Sequence, residues 1–142
     1  MGIEKESITE SLFGHTANGE PVKVFTLCNQ SGMQVRIINY GGTIISLTVA
    51  DGDGEFENVI LGYDSLAEYE AGKVFFGALI GRYGNRVAKG RFILDAKTYH
   101  LAANSGGNHL HGGDRGFDRQ IWEATPSKTA EGPCLLLRYT SQ

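Results

Sequence analysis

Residues 77–122 read GALIGRYGNRVAKGRFILDAKTYHLAANSGGNHLHGGDRGFDRQIW, and this stretch decides the fold. It holds Arg82 and Arg86, three of the four histidines and nine of the twenty glycines. Apolar pairs alternate with Gly-Arg, Gly-Asn-Arg, Asn-His-Leu-His-Gly-Gly and Arg-Gly-Phe-Asp. Brief strands joined by short polar turns produce this rhythm, and a rigid β scaffold presents its binding groups on such turns.

Toward the amino terminus, Ser7 to Leu61 reads as a meander of strands. Pro21 to Asn29 is apolar at Val22, Val24 and Phe25. After the Gln30-Ser31-Gly32 turn, period-two alternation over Met33 to Tyr40 places Met33, Val35 and Ile37 on one face. Gly41-Gly42 interrupts the run, and Thr43 to Ala50 resumes it. Asp51-Gly52-Asp53-Gly54 is a tight connection to a strand over Asn58 to Gly62, since Asp-Gly is a strong hairpin signal. The alternative, a calcium loop, lacks an acidic residue at its twelfth position, Gly62. Asp64 to Ala71 predicts the one short helix, capped by Asp64 or Ser65.

Toward the carboxyl terminus, Arg91 to Leu94 and Lys97 to Leu101 resemble a hairpin closed at Asp95-Ala96, with Ala a poor residue for such a turn. Ile121 to Ala124 and Cys134 to Thr140 follow as strands, separated by a polar loop containing Pro126 and Pro133. Many short strands with almost no helix predict an all-β sandwich or barrel.

A chain of 142 residues fits one domain and can bury roughly two-thirds of its unfolded surface. Net charge is −3 and no basic run occurs, which argues against nucleic acid or an anionic membrane as the main partner. MGIEKESITE is charged without an apolar core, unlike a signal peptide, and Glu6 breaks the myristoylation pattern. No apolar run reaches membrane-spanning length. Cys28 and Cys134 lie far apart in strand-like segments and read as two buried thiols of a reducing cytoplasm.

Three chemistries compete for the central stretch. His109 and His111, two apart, form a His-x-His pair of the kind that holds zinc, iron or manganese, with only Asp114 or His100 nearby as a third ligand. Alternatively, a histidine ring is satisfied by backbone in a glycine-rich turn, the simpler reading for His109. In the third, Arg82 and Arg86 supply planar forks, Asn85 an amide and His111 a titratable ring to a polar small molecule. The glycines after His111 let a ligand or chain approach its backbone closely.

The quoted motifs, with Ala88-Lys89-Gly90, Tyr99-His100-Leu101, Asn104, the earlier Asn39-Tyr40-Gly41-Gly42 and Asn58-Val59-Ile60-Leu61-Gly62-Tyr63, and the late Leu-Arg-Tyr-Thr-Ser, resemble the aldose 1-epimerase (galactose mutarotase) family in order and spacing. The resemblance spans essentially the whole chain, and Gly84 is a departure where the family usually has Ala. It implies a galactose mutarotase-like β-sandwich (supersandwich), with residues 1–142 the N-terminal part of a single domain. It further implies interconversion of the α and β anomers of hexoses such as galactose and glucose, without cofactor or metal. Asn85, Arg86 and His111 then contact the sugar, His111 is the site histidine near the reacting oxygens, and Arg82 is structural.

In the family the general acid is a second histidine well downstream, the general base is a glutamate near the C-terminus, and a sugar-gripping aspartate also comes later. His15 and His100 match none of these contexts. The chain alone is therefore expected to have little or no mutarotase activity, and to be a fragment whose exposed strand edges favour self-association. Two other readings stand beside it: a non-catalytic hexose-binding β-sandwich module, and a His-x-His metal-dependent β-barrel.

Overall fold

The computed structural model describes residues 6–142. Residues 1–5, the first half of the segment read against a signal peptide, lie outside the described residues. Strands β1 (Ser7–His15), β2 (Pro21–Cys28), β3 (Gln34–Ile38), β4 (Thr43–Ala50) and β5 (Phe56–Asn58) form the expected meander. Each pairs antiparallel with the next in one five-stranded sheet.

The middle of this sheet carries the core because β2 is apolar on both faces. Period two sends Val22 and Val24 one way and Phe25 and Leu27 the other, and all four are buried. Val22 and Val24 join Ile38, Tyr40, Ile45, Leu66 and Tyr69 in one cluster. On β3 the deeply buried residue is Ile38, paired with Val24, whereas Met33 is exposed. Val35 and Ile37, paired with the buried Leu27 and Phe25, are half-buried, and Met33 precedes the strand. A bulge contributes to the packing: the ladder passes from Arg36↔Ser46 to Ile37↔Ile44, and the skipped Ile45 is buried in the core.

The Asp-Gly-Asp-Gly segment is a turn. Asp51 Oδ1 accepts the N–H of Asp53 at 2.8 Å and of Glu55 at 3.0 Å, the local bonding that makes Asp a turn former. The strand after it is Phe56–Asn58, earlier than the expected Asn58 to Gly62. The Asn58 side chain explains the stop: Oδ1 accepts the Leu47 N–H at 2.9 Å, and Nδ2 donates to the Ile60 carbonyl at 3.1 Å. Helix α1 (Leu66–Ala71) is capped by Ser65, in a capping box with Glu68. It lays Leu66 and Tyr69, three apart, against the sheet.

Three two-stranded ladders complete the described residues: β6 (Arg86–Val87) with β9 (His109–Leu110), β7 (Arg91–Leu94) with β8 (Lys97–His100), and β10 (Glu123–Thr129) with β11 (Gly132–Arg138). The expected polar loop with two prolines is in fact the β10–β11 hairpin, where Pro126 pairs with Leu135 and Pro133 with Lys128. A two-stranded ladder has only edge strands, so a residue lacking an N–H can face outward without breaking a bond. Cys28 on β2 is buried as expected, but Cys134 on β11 is only half-buried. No helix among the described residues is long and apolar enough to cross a membrane.

The β7–β8 turn combines sharp geometry with an awkward residue. Asp95 and Ala96 have φ of 49° and 59°, the left-handed pair of a type I′ hairpin. Alanine there costs about 1–2 kcal/mol in backbone sterics. Ala96→Gly removes that cost but adds about 0.4–1 kcal/mol of unfolded-chain freedom. The expected net gain is about 0.5–1 kcal/mol, read as a higher urea midpoint at unchanged slope; a lower midpoint contradicts the strained turn.

Candidate functional site

The glycine-rich stretch is tied to the sheet along a polar seam. Trp122 N–H donates to the Asn39 carbonyl at 2.8 Å, and Gly41 N–H to the Gln120 carbonyl at 2.8 Å. Asn39 Nδ2 returns a bond to the Trp122 carbonyl at 3.3 Å. The Asn-Tyr-Gly-Gly segment that interrupts the meander is thus the surface on which the site stretch is anchored.

The β6–β9 ladder then brings the three residues named from sequence together. Arg86 pairs with Leu110 and Val87 with His109, so the next rung joins Asn85 and His111. His111 N–H donates to the Asn85 carbonyl at 3.0 Å. Asn85 N–H donates to the His111 ring at Nδ1, 2.9 Å away. Arg86 Nη1 donates to Asn85 Oδ1 at 3.4 Å. Asn85 and Arg86 are exposed and His111 is half-buried. Its ring meets the edge of Phe75, with centroids 4.7 Å apart and planes at 70°. Because Nδ1 accepts a hydrogen bond, the neutral ring carries its proton on Nε2.

Asn104 braces β9, with Oδ1 accepting the Leu110 N–H at 2.8 Å and Nδ2 donating to the Leu110 carbonyl at 3.0 Å. Asn108 Oδ1 accepts the Lys89 N–H at 3.0 Å. These amides supply backbone-like bonds at the ends of very short strands, which could not hold register alone.

The other candidates stand apart. His109 is buried and its Nδ1 lies 2.9 Å from the Ala102 carbonyl, the structural role read as the simpler one. That bond puts the proton on Nδ1, the opposite tautomer to His111. With the His111 proton on Nε2, and no group of three His, Cys, Asp or Glu placed to hold a metal among the described residues, the arrangement does not favour the His-x-His metal reading. Arg82 is a tether: Nε donates to Ser141 Oγ at 2.8 Å and Nη2 to the Gln142 carbonyl. His15 and His100 are exposed on β1 and β8.

Sequence reasoning missed the support behind the site. Arg119 donates from Nη1 to the Glu70 carbonyl and from Nη2 to the Gly72 carbonyl at 2.6 Å, binding the end of α1. Its Nε stands 3.3 Å from Asp118 Oδ2. The Asp118 side chain is only 10% exposed, and its Oδ1 is buried without a hydrogen-bond partner. Burial pushes the Asp118 carboxyl up from its ordinary range, against the pull of Arg119 and, more weakly, His111. Burial likewise raises the Tyr40 hydroxyl, with Arg119 opposing. The Arg-Gly-Phe-Asp motif pointed to this place without naming a role, and no sequence signal marks Phe75.

The fold agrees with what the chain is similar to. The family model described as aldose 1-epimerase matches residues 23–142. Galactose mutarotase from Sus scrofa is 45% identical over 127 residues, which cover 89% of this chain and 36% of that protein. Aldose 1-epimerase from Escherichia coli K12 is 39% identical over 106 residues, 75% of this chain and 31% of the relative. Among solved structures, galactose 1-epimerase from Lactobacillus acidophilus NCFM superposes with a TM-score of 0.74 at 31% identity, covering 89% of this chain and 36% of that one. An aldose epimerase homologue from C. elegans gives 0.69 at 29% identity, over 72% of this chain and 31% of that one. The chain thus spans about a third of the length of these relatives. A match over most of its residues, carried onto a strand-rich fold of the same shape, makes this chain a member of the aldose 1-epimerase family.

Proposed function

We propose that this chain carries the hexose-orienting part of an aldose 1-epimerase site, acting on galactose and glucose. The observation that supports it is the convergence of Asn85, Arg86 and His111 on two adjacent rungs at the end of the β6–β9 ladder. A guanidinium fork bridges two adjacent sugar hydroxyls, and an imidazole with its proton on Nε2 donates to a sugar oxygen. Anomer exchange needs a base to take the anomeric proton and an acid to protonate the ring oxygen, so that the C1–O5 bond opens and recloses on the other face. His111 supports charge developing on those oxygens. None of the three groups is a carboxylate, so the base must come from outside this set. The chain by itself is therefore a hexose binder with little or no turnover.

Titrating galactose into labelled protein tests this. Saturable, millimolar-range shifts are expected in the amides of Asn85, Arg86 and His111, a weak affinity near −4 kcal/mol. His111→Ala removes one buried-side donor and is expected to weaken binding about tenfold, roughly 1.4 kcal/mol. Shifts that do not saturate, or an unchanged affinity in the variant, defeat the assignment. Optical rotation of fresh α-galactose should decay at the uncatalysed rate, and clear acceleration would refute the lack of turnover.

The same reading takes the protein to be cytoplasmic, where free hexoses are its ligands. The outer edge of β5, with Phe56 exposed, is a surface for self-association.

A further inference from the structure

We infer that Asn85 is a positioning residue whose left-handed backbone, rather than its amide, selects the tautomer of His111. The inference deepens the hexose reading and rests on it only for its final arm. In a regular antiparallel ladder, a hydrogen-bonded pair exchanges two backbone bonds. The Asn85–His111 rung keeps one of these, His111 N–H to the Asn85 carbonyl at 3.0 Å. The second is diverted: Asn85 N–H goes to the His111 ring at 2.9 Å instead of to the His111 backbone. The diversion coincides with left-handed conformations at both residues, φ 61° at Asn85 and 50° at His111.

An N–H donor held against Nδ1 admits only the ring protonated on Nε2. Phe75 restrains the same ring from its side, leaving one plane and one tautomer. Asparagine is among the few residues that tolerate this backbone region. Its amide, by contrast, makes only a long 3.4 Å contact with Arg86. The residue type at position 85 is therefore explained by the main chain, whereas the family resemblance suggests a side chain that touches sugar.

Asn85→Gly and Asn85→Val separate the two roles. Glycine keeps the left-handed backbone and the N–H while deleting the amide; valine, β-branched, resists that backbone. Ring 15N shifts of His111, recorded without sugar at about pH 8 where an ordinary imidazole is neutral, report the tautomer directly. We expect an Nε2-protonated signature in the native protein, retained in Asn85→Gly and averaged between tautomers in Asn85→Val. A signature lost equally in Asn85→Gly, or Nδ1 protonation in the native protein, overturns the inference. Galactose affinity is then read separately: Asn85→Gly should weaken it at most a few-fold and Asn85→Val about as much as His111→Ala. A locked ring in a protein that binds no galactose upholds the positioning role and rejects the hexose reading.

Discussion

Gly112→Ala is expected to cost about 4 kcal/mol of stability, the largest effect of any single methyl group added near the site. Gly112 has φ of 94°, and a Cβ there would stand 1.8 Å from the Gly81 carbonyl oxygen and 3.0 Å from the Gly116 Cα. The obstacle is backbone on both sides, and Gly81 O already accepts the Phe117 N–H at 3.2 Å. Strain in a disfavoured backbone region is worth about 1–3 kcal/mol, and overpacking adds about 1–3 more. Against a typical total of about 5–15 kcal/mol, such a loss is severe. Gly106→Ala is the control: φ is 54°, yet nothing lies within 4 Å of its added Cβ, so only the conformational part remains. Urea midpoints give the difference. If Gly112→Ala falls within about 1 kcal/mol of Gly106→Ala, the close packing of the His111 turn on Gly81 and Gly116 is not what requires glycine.

Arg119→Ala is expected to destabilise by about 3 kcal/mol, more at neutral than at acid pH. Removing one partner of a buried ion pair costs about 3–5 kcal/mol, and the lower end applies because 30% of the Arg119 side chain is exposed. Two parts make up the loss. The Glu70 and Gly72 carbonyls at the end of α1 lose their donors, and Asp118 loses its countercharge. Burial already holds the folded-state carboxyl above its ordinary 3.8. As pH falls, the folded protein therefore binds this proton before the unfolded chain does. Protonation of Asp118 favours folding, fully so below the unfolded value, and that advantage disappears as pH rises through the folded value. Without Arg119 the folded value rises further, so the deficit should be widest at pH 7 and narrower near pH 4, leaving the part due to the orphaned carbonyls. Adding Asp118→Asn to Arg119→Ala should recover about 1–2 kcal/mol at pH 7. A deficit of the same size at both pH values, with no rescue, would trace the loss to the helix carbonyls alone.

The two effects meet at one point. A Cβ built on Gly116 would lie 2.7 Å from Asp118 Oδ1, 2.7 Å from the His111 carbonyl and 3.2 Å from the Gly81 carbonyl. The turn carrying the candidate site histidine and the Asp118–Arg119 pair thus share a packed junction that glycine alone leaves open.

Much of this architecture was legible in the chain. Alternating apolar residues and short polar turns identify the meander, and Ser65 with Glu68 spells the start of α1. The motif around Asn85, Arg86 and His111 singles out three residues that do meet. The reading failed where bonds between distant residues override local preference. Pro126 looks like a loop residue but sits in an edge strand. Met33 alternates with Val35 and Ile37, yet it precedes β3 and is exposed, while Ile38 on the opposite face is buried beside Val24.

By itself the sequence determined the all-β class and the identity of the polar residues on the glycine-rich turns, since these depend on period and turn chemistry within short windows, and its motifs carried the resemblance to the family. Only the tertiary structure decided the opposite tautomers of His109 and His111, the diversion of the Asn85 N–H onto an imidazole, and the support of Arg119 by carbonyls 47 and 49 residues away. A hydrogen bond depends on which groups the folded backbone brings within about 3 Å, and no local pattern of side chains encodes that distance.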